Sequence, residues 1–105
     1  MNEKQKEICQ KVADIYNAKQ LIVAMEECAE LIQAISKYLR LLGDGQPIAC
    51  DKVPGAYENI AEECADVLIM IEQLRWVIGI SDEHLSKMID KKLERTIRRI
   101  KEHGA

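Results

Sequence analysis

Long uncharged apolar runs are missing from this chain of 105 residues. A membrane-spanning helix needs about eighteen or more residues nearly free of charge. The most apolar stretch, Ile60 to Ile80, is broken by Glu62, Glu63, Asp66, Glu72 and Arg75. The opening Met-Asn-Glu-Lys-Gln-Lys-Glu lacks the basic-then-apolar layout of a secretory leader, so a cytoplasmic protein with no membrane partner is expected. The cysteines Cys9, Cys28, Cys50 and Cys64 show no Cys-x-x-Cys spacing, which argues against zinc and dithiol-redox motifs. As free thiols, Cys28 and Cys64 read as small core residues. Histidine is limited to His84 and His103, and neither stands near an acidic motif. Proline and glycine are concentrated in one segment, Gly43 to Ala56, which holds both prolines and three of the five glycines. Strand-type alternation of apolar and polar residues is absent.

What is present is apolar spacing of three and four over nearly the whole length, which predicts helices. The first runs from about Glu3 to Asn17 on the stripe Ile8, Val12, Ile15. The second runs from about Gln20 to Leu42, the third from about Tyr57 to Ile78, stopping at Gly79. Ser81 is a fitting N-cap for a fourth, with Asp82 and Glu83 in its first turn. That helix continues to about His103 along Leu85, Met88, Ile89, Leu93, Ile97 and Ile100. At 48% apolar and 31% charged, the chain suits one globular domain over residues 1–105. The expected architecture is all-α, a four-helix antiparallel bundle-type protomer. The third helix is apolar nearly all round, and three partners in so small a chain can hardly enclose it. A homodimer or homotetramer is therefore expected.

The chemistry lies in a repeated pentapeptide. Glu-Glu-Cys-Ala-Glu at 26–30 returns as Glu-Glu-Cys-Ala-Asp at 62–66, each copy inside an apolar stretch. A carboxylate in apolar surroundings is disfavoured unless a cation or hydrogen-bond donors compensate it. On a helical wheel Glu27 shares a face with Val23, Ala24, Leu31 and Ala34, and Glu30 lies roughly 60° to its side. Glu63 shares a face with Ile60, Val67, Met70 and Leu74, and Asp66 again lies roughly 60° aside. Glu26 and Glu62 turn towards solvent. The inward faces of both helices carry no Lys or Arg to pair with the four inward acids. An all-oxygen cluster suits a hard cation, Mg²⁺ or Mn²⁺, whereas a di-iron bundle would want Glu-x-x-His.

Glu27-x-x-Glu30 followed by Glu63-x-x-Asp66 resembles the signature of the all-α nucleoside triphosphate pyrophosphatases, the MazG-like family. The likeness extends through Glu-Glu-Cys-Ala-Glu-Leu-Ile-Gln-Ala-Ile-Ser-Lys and Ala-Glu-Glu-Cys-Ala-Asp-Val-Leu-Ile-Met. It continues in the Gly79-Ile80 stop and a C-terminal helix carrying Lys92, Thr96 and Arg99, covering roughly residues 20 to 100. The resemblance implies Mg²⁺-dependent hydrolysis of a nucleoside triphosphate between the α and β phosphorus, giving a monophosphate and pyrophosphate. It makes Glu27, Glu30, Glu63 and Asp66 the metal-holding catalytic residues and places Lys92, Thr96 and Arg99 near the phosphates. Thr96 departs from the pattern, since Asn is common there. Lys37 either reaches a phosphate or is solvated, and Gln20, two turns before Glu27, is a candidate for substrate contact. Nothing names the base.

The net charge of −3 conceals an asymmetry: Lys91 to Lys101 holds six cations against Glu94. One short basic segment on an acidic protein makes a poor binder of bulk nucleic acid. The alternative reading is a non-catalytic helical-bundle module that binds nucleotides or a basic protein partner.

Overall fold

The computed structural model describes residues 1–42 and 51–104, and all four described elements are helices: α1 (Glu3–Tyr16), α2 (Lys19–Leu41), α3 (Val53–Ile78) and α4 (Asp82–Glu102). Each terminus follows from local chemistry. Asn2 caps α1 in a capping box: its Oδ1 accepts from the Gln5 backbone N–H, and Gln5 Oε1 accepts from the Asn2 backbone N–H, both at 2.8 Å. Asn17, in the left-handed region at φ 51°, ends α1 and turns the chain into α2. Helix α3 begins four residues earlier than the apolar pattern predicts, because Pro54 sits in its first turn, where its missing N–H costs nothing. The segment 43–50, including Cys50, lies outside the described residues.

Gly79 closes α3 at φ 89°, and its N–H and that of Ile80 both donate to the Arg75 carbonyl at 2.9 Å. Open space surrounds the position where a Cβ would stand, so the demand for glycine is purely conformational. Gly79→Ala is expected to cost about 1 kcal/mol, read as a lower midpoint in urea unfolding. Ser81 caps α4 as the sequence predicts, its Oγ accepting from the His84 backbone N–H at 3.1 Å.

Helix α3 is the middle of a three-helix layer: α2 packs along one side, α1 along the other, and α1 and α2 barely touch. Gln20 near the start of α2 donates through Nε2–H to Gln73 Oε1 near the end of α3, 2.6 Å away, so the two helices run antiparallel. Trp76 Nε1–H donates to Asp14 Oδ1 at 2.9 Å and ties α3 to α1. Glu72 and Arg75 form a buried ion pair, the Arg75 Nε–H donating to Glu72 Oε2 at 2.9 Å. Arg75 also donates to the Ile80 carbonyl at 2.8 Å and meets Asp82 at 2.9 Å, clamping the corner between α3 and α4.

The fourth helix departs from expectation. It packs against none of the other three, and none of its residues is buried, so the protomer does not close into a four-helix bundle. The left-handed turn at Gly79 and the Arg75 clamp on Asp82 aim α4 away from the layer. The radius of gyration, 17.5 Å, reflects this; a compact chain of this length would have about 13 Å. Cys28 and Cys64 are also exposed rather than in the core. Each follows an inward glutamate by one residue, which turns it about 100° off the buried face. Cys9 is the buried thiol; burial first, then the charge of Glu72, pushes its pKa up and leaves it unreactive.

Apolar side chains are left uncovered on the layer itself. Ile22, Met25, Ile32 and Leu39 form an exposed stripe on α2, and Tyr57, Leu68, Ile71 and Ile78 another on α3. Among the described residues only Cys9, Ala13, Ala24, Ala34 and Met70 are buried apolar residues. No helix of the described residues is long and apolar enough to cross a membrane.

Candidate metal centre

The antiparallel pairing of α2 and α3 brings the two pentapeptides opposite one another. Carboxylate oxygens of Glu27, Glu63 and Asp66 lie within 4.8 Å of one another, two on α3 and one on α2. Glu27 Oε2 and Glu63 Oε2 are buried atoms with no hydrogen-bond partner. Glu30, expected to face inward, is exposed and stands outside this close triad, yet its charge is among the groups that raise both Glu27 and Glu63. Glu26 and Glu62 are exposed, as their wheel positions predict. Among the described residues, the ion pairs are Lys6–Asp82, Arg75–Glu72, Arg75–Asp82 and Lys87–Glu83; none touches Glu27, Glu30, Glu63 or Asp66.

Uncompensated acids at this spacing resist ionisation. Glu27 is held above the usual carboxylate range by desolvation first, then by the charges of Glu30 and Asp66. Glu63 is raised by the same causes in the same order. A carboxyl whose pKa is higher in the folded state binds its proton more tightly there, so it favours folding below its unfolded pKa and loses that contribution as pH rises through the folded value. The metal-free protein should therefore melt at lower temperature as pH climbs from about 4 through the raised values. The slope should flatten in Glu27→Gln/Glu63→Gln, and millimolar Mg²⁺ or Mn²⁺ should offset it, both read by thermal melts across pH.

The remaining sequence candidates are spread over the fold. Gln20 is 8% exposed and engaged with Gln73, serving as a cross-link between α2 and α3. Lys92, Thr96 and Arg99 are exposed on α4, which does not approach the carboxylates of its own chain. The Thr96 hydroxyl donates back to the Lys92 carbonyl at 3.0 Å, so in this protomer it serves its own helix. Lys37 lines an open recess of about 370 Å³ with Arg40, Lys52 and Asn59. Sequence reading missed Arg40, one turn beyond Lys37, and Lys52, which enters from the far side of the loop. Only the fold brings Lys52 to α2.

The class the fold and site define is an all-helical protein with an oxygen-only cluster able to hold a metal ion. Comparison of the chain with protein-family models, with curated proteins and with solved structures yields no match.

Proposed function

We propose that this protein is a divalent-metal-dependent nucleoside triphosphate pyrophosphohydrolase, acting on the anhydride between the α and β phosphates. The observation that carries the reading is the carboxylate triad. Its donors are all oxygen, it has no cationic partner among the described residues, and two of its buried oxygens have nothing to bind. Such a donor set fits a hard cation, Mg²⁺ first and Mn²⁺ next. Glu27, Glu63 and Asp66 would hold it, with Glu30 at the edge of the group. Bound there, a divalent cation supplies neutralisation of phosphate charge and acidification of water.

The chain's own residues supply the rest. A carboxylate of this group not fully engaged by the cation would accept the proton from an attacking water. The recess of Lys37, Arg40 and Lys52 offers donors for phosphate oxygens. Asn59 shares that recess and stands one turn before Glu63 on α3, which places these donors on the same pair of helices as the acids. Oligomerisation, as a dimer or tetramer, would cover the apolar stripes of α2 and α3.

The test is pyrophosphate release from a panel of ribo- and deoxyribonucleoside triphosphates, with and without Mg²⁺. Orthophosphate and a diphosphate as products would overturn the cleavage position. No release from any triphosphate, with either metal, would overturn the reading and leave a nucleotide- or protein-binding module in its place.

A further inference from the structure

The α2–α3 pair carries opposite charge at two levels of one face. On α2, Lys37 stands seven residues beyond Glu30, which returns it to within about 20° of the same direction. On α3, Asn59 stands seven residues before Asp66, and Lys52 seven before Asn59, so these three also share a direction. Counting equal steps from the Gln20–Gln73 bond sets Glu30 level with Glu63, Lys37 with Ala56 and Leu41 with Lys52. Lys37, Leu41, Lys52 and Ala56 all line the recess of about 370 Å³. It therefore opens on the acids' side of the pair, roughly 10–16 Å farther along the helices.

Three cations meet there from two helices. Lys37, Arg40 and Lys52 are exposed, and none is in an ion pair among the described residues. Arg40 touches Ser36 through two long bonds of 3.4 Å. The carboxylates do little to neutralise them, because the separation exceeds the Debye length of about 8–10 Å at ordinary ionic strength. Gathering like charges costs free energy that a bound anion relieves. Lys52 is also the N-cap of α3 and makes no side-chain cap, so the positive end of the helix dipole adds to the same field. Between the two levels stand Gln33 on α2 and Asn59 on α3, both uncharged amides.

A triphosphate gathered on a metal at the carboxylates stays at their level, since the ion bridges neighbouring phosphate oxygens. The recess is left for another group. We infer that Lys37, Arg40, Lys52 and Asn59 form a second anion subsite, filled without metal, for a phosphoryl group carried beyond the phosphates that the carboxylates hold. The cleft then suits an extended ligand with phosphoryl groups at both levels, its far end on ammonium and guanidinium donors. A phosphoryl dianion fits these donors better than a carboxylate, because it brings more charge and more acceptor oxygens. That the near end is a triphosphate on a metal rests on the function proposed above; anion binding in the recess does not.

Calorimetric titration of the full chain with inorganic pyrophosphate in EDTA reads the subsite alone. The wild type should bind one pyrophosphate per chain, and Lys37→Gln/Lys52→Gln should weaken binding at least about tenfold. Lys4→Gln/Lys11→Gln makes the same charge change at exposed positions of α1 and should alter binding by no more than about twofold. Glu27→Gln/Glu63→Gln should bind no more weakly than the wild type. No metal-free binding, or equal losses from the two lysine pairs, would overturn the subsite. Glutarate bound as tightly as pyrophosphate would overturn its assignment to phosphoryl groups.

Whether the near and far groups belong to one molecule is read with Mg²⁺ present. Long-chain polyphosphate should then bind at least about a hundredfold more tightly than pyrophosphate, because its second contact is intramolecular. Either Lys37→Gln/Lys52→Gln or Glu27→Gln/Glu63→Gln should abolish that gain. A gain absent from the wild type, or one that survives either pair of substitutions, would overturn the extended ligand and leave free phosphate or pyrophosphate as the occupant. Neither titration involves turnover, so a wild type that releases no pyrophosphate removes the proposed function alone.

Discussion

Glu27→Gln and Glu63→Gln should each lower Mg²⁺-dependent pyrophosphate release by about 10²–10³-fold, the usual cost of removing a main electrostatic element from a site. Both changes keep side-chain volume, and both remove a charge that the metal-free fold finds unfavourable, since each carboxyl is raised by desolvation and by its acidic neighbours. The variants should therefore melt no lower than the wild type without metal, while losing the gain in melting temperature that Mg²⁺ confers. Asp66→Asn should follow them, being the third member of the triad. Glu26→Gln and Glu62→Gln are matched controls, because both acids are exposed. Equal damage from the controls would show that the division into inward and outward acids is wrong.

Arg75→Ala should be the most destabilising single change in the described chain. The guanidinium is buried against Glu72 and also serves the Ile80 carbonyl and Asp82. Its pKa is raised, first by the hydrogen bonds to Glu72, so it stays charged at any working pH. Removing it strands the Glu72 carboxylate, 6% exposed, without a partner. Breaking a buried pair from one side costs about 3–5 kcal/mol. Removing both partners, as in Glu72→Met/Arg75→Met, should cost much less, since no stranded charge remains. Urea unfolding at one fixed protein concentration tests this, because association alters apparent stability. Equal losses in the single and double variants would mean that the clamp at the α3–α4 corner, not the ion pair, holds the energy.

The helices were legible because their signals are local. Apolar spacing, the Gly79 stop and the Ser81 cap all act within one or two turns, and α4 begins where Ser81 predicts. The inward direction of Glu27 and Glu63 followed from the wheel, as did the exposure of Glu26 and Glu62. Relations between helices were harder to read. An apolar stripe says that α4 must be covered but not by what, so the expected bundle does not close within the protomer. The wheel likewise placed the acids yet could not show that Glu30 would fall outside the close triad, which depends on the axial offset of α2 against α3. Glu72 and Arg75 read from sequence as charges interrupting an apolar run; only packing of α1 on α3 makes them a buried pair. Cys28 and Cys64 have the small apolar character of core residues, yet their wheel angle, about 100° from the inward glutamates, turns them out to the surface.

The Gln20–Gln73 bond has a consequence for alignment. Two buried amides on facing helices satisfy each other at one relative height only. Sliding α2 along α3 by a turn, about 5.4 Å, would leave both without a partner in an apolar setting. Apolar contacts between the same helices tolerate such a slip far better, because Leu and Ile stripes repeat every turn. The pair therefore acts as a ruler. It sits at the end of the helices opposite the connecting segment and fixes the level at which Glu27 comes face to face with Glu63. Gln20→Leu with Gln73→Leu would keep the helices together and let that level drift, blurring the carboxylate cluster without unfolding the chain.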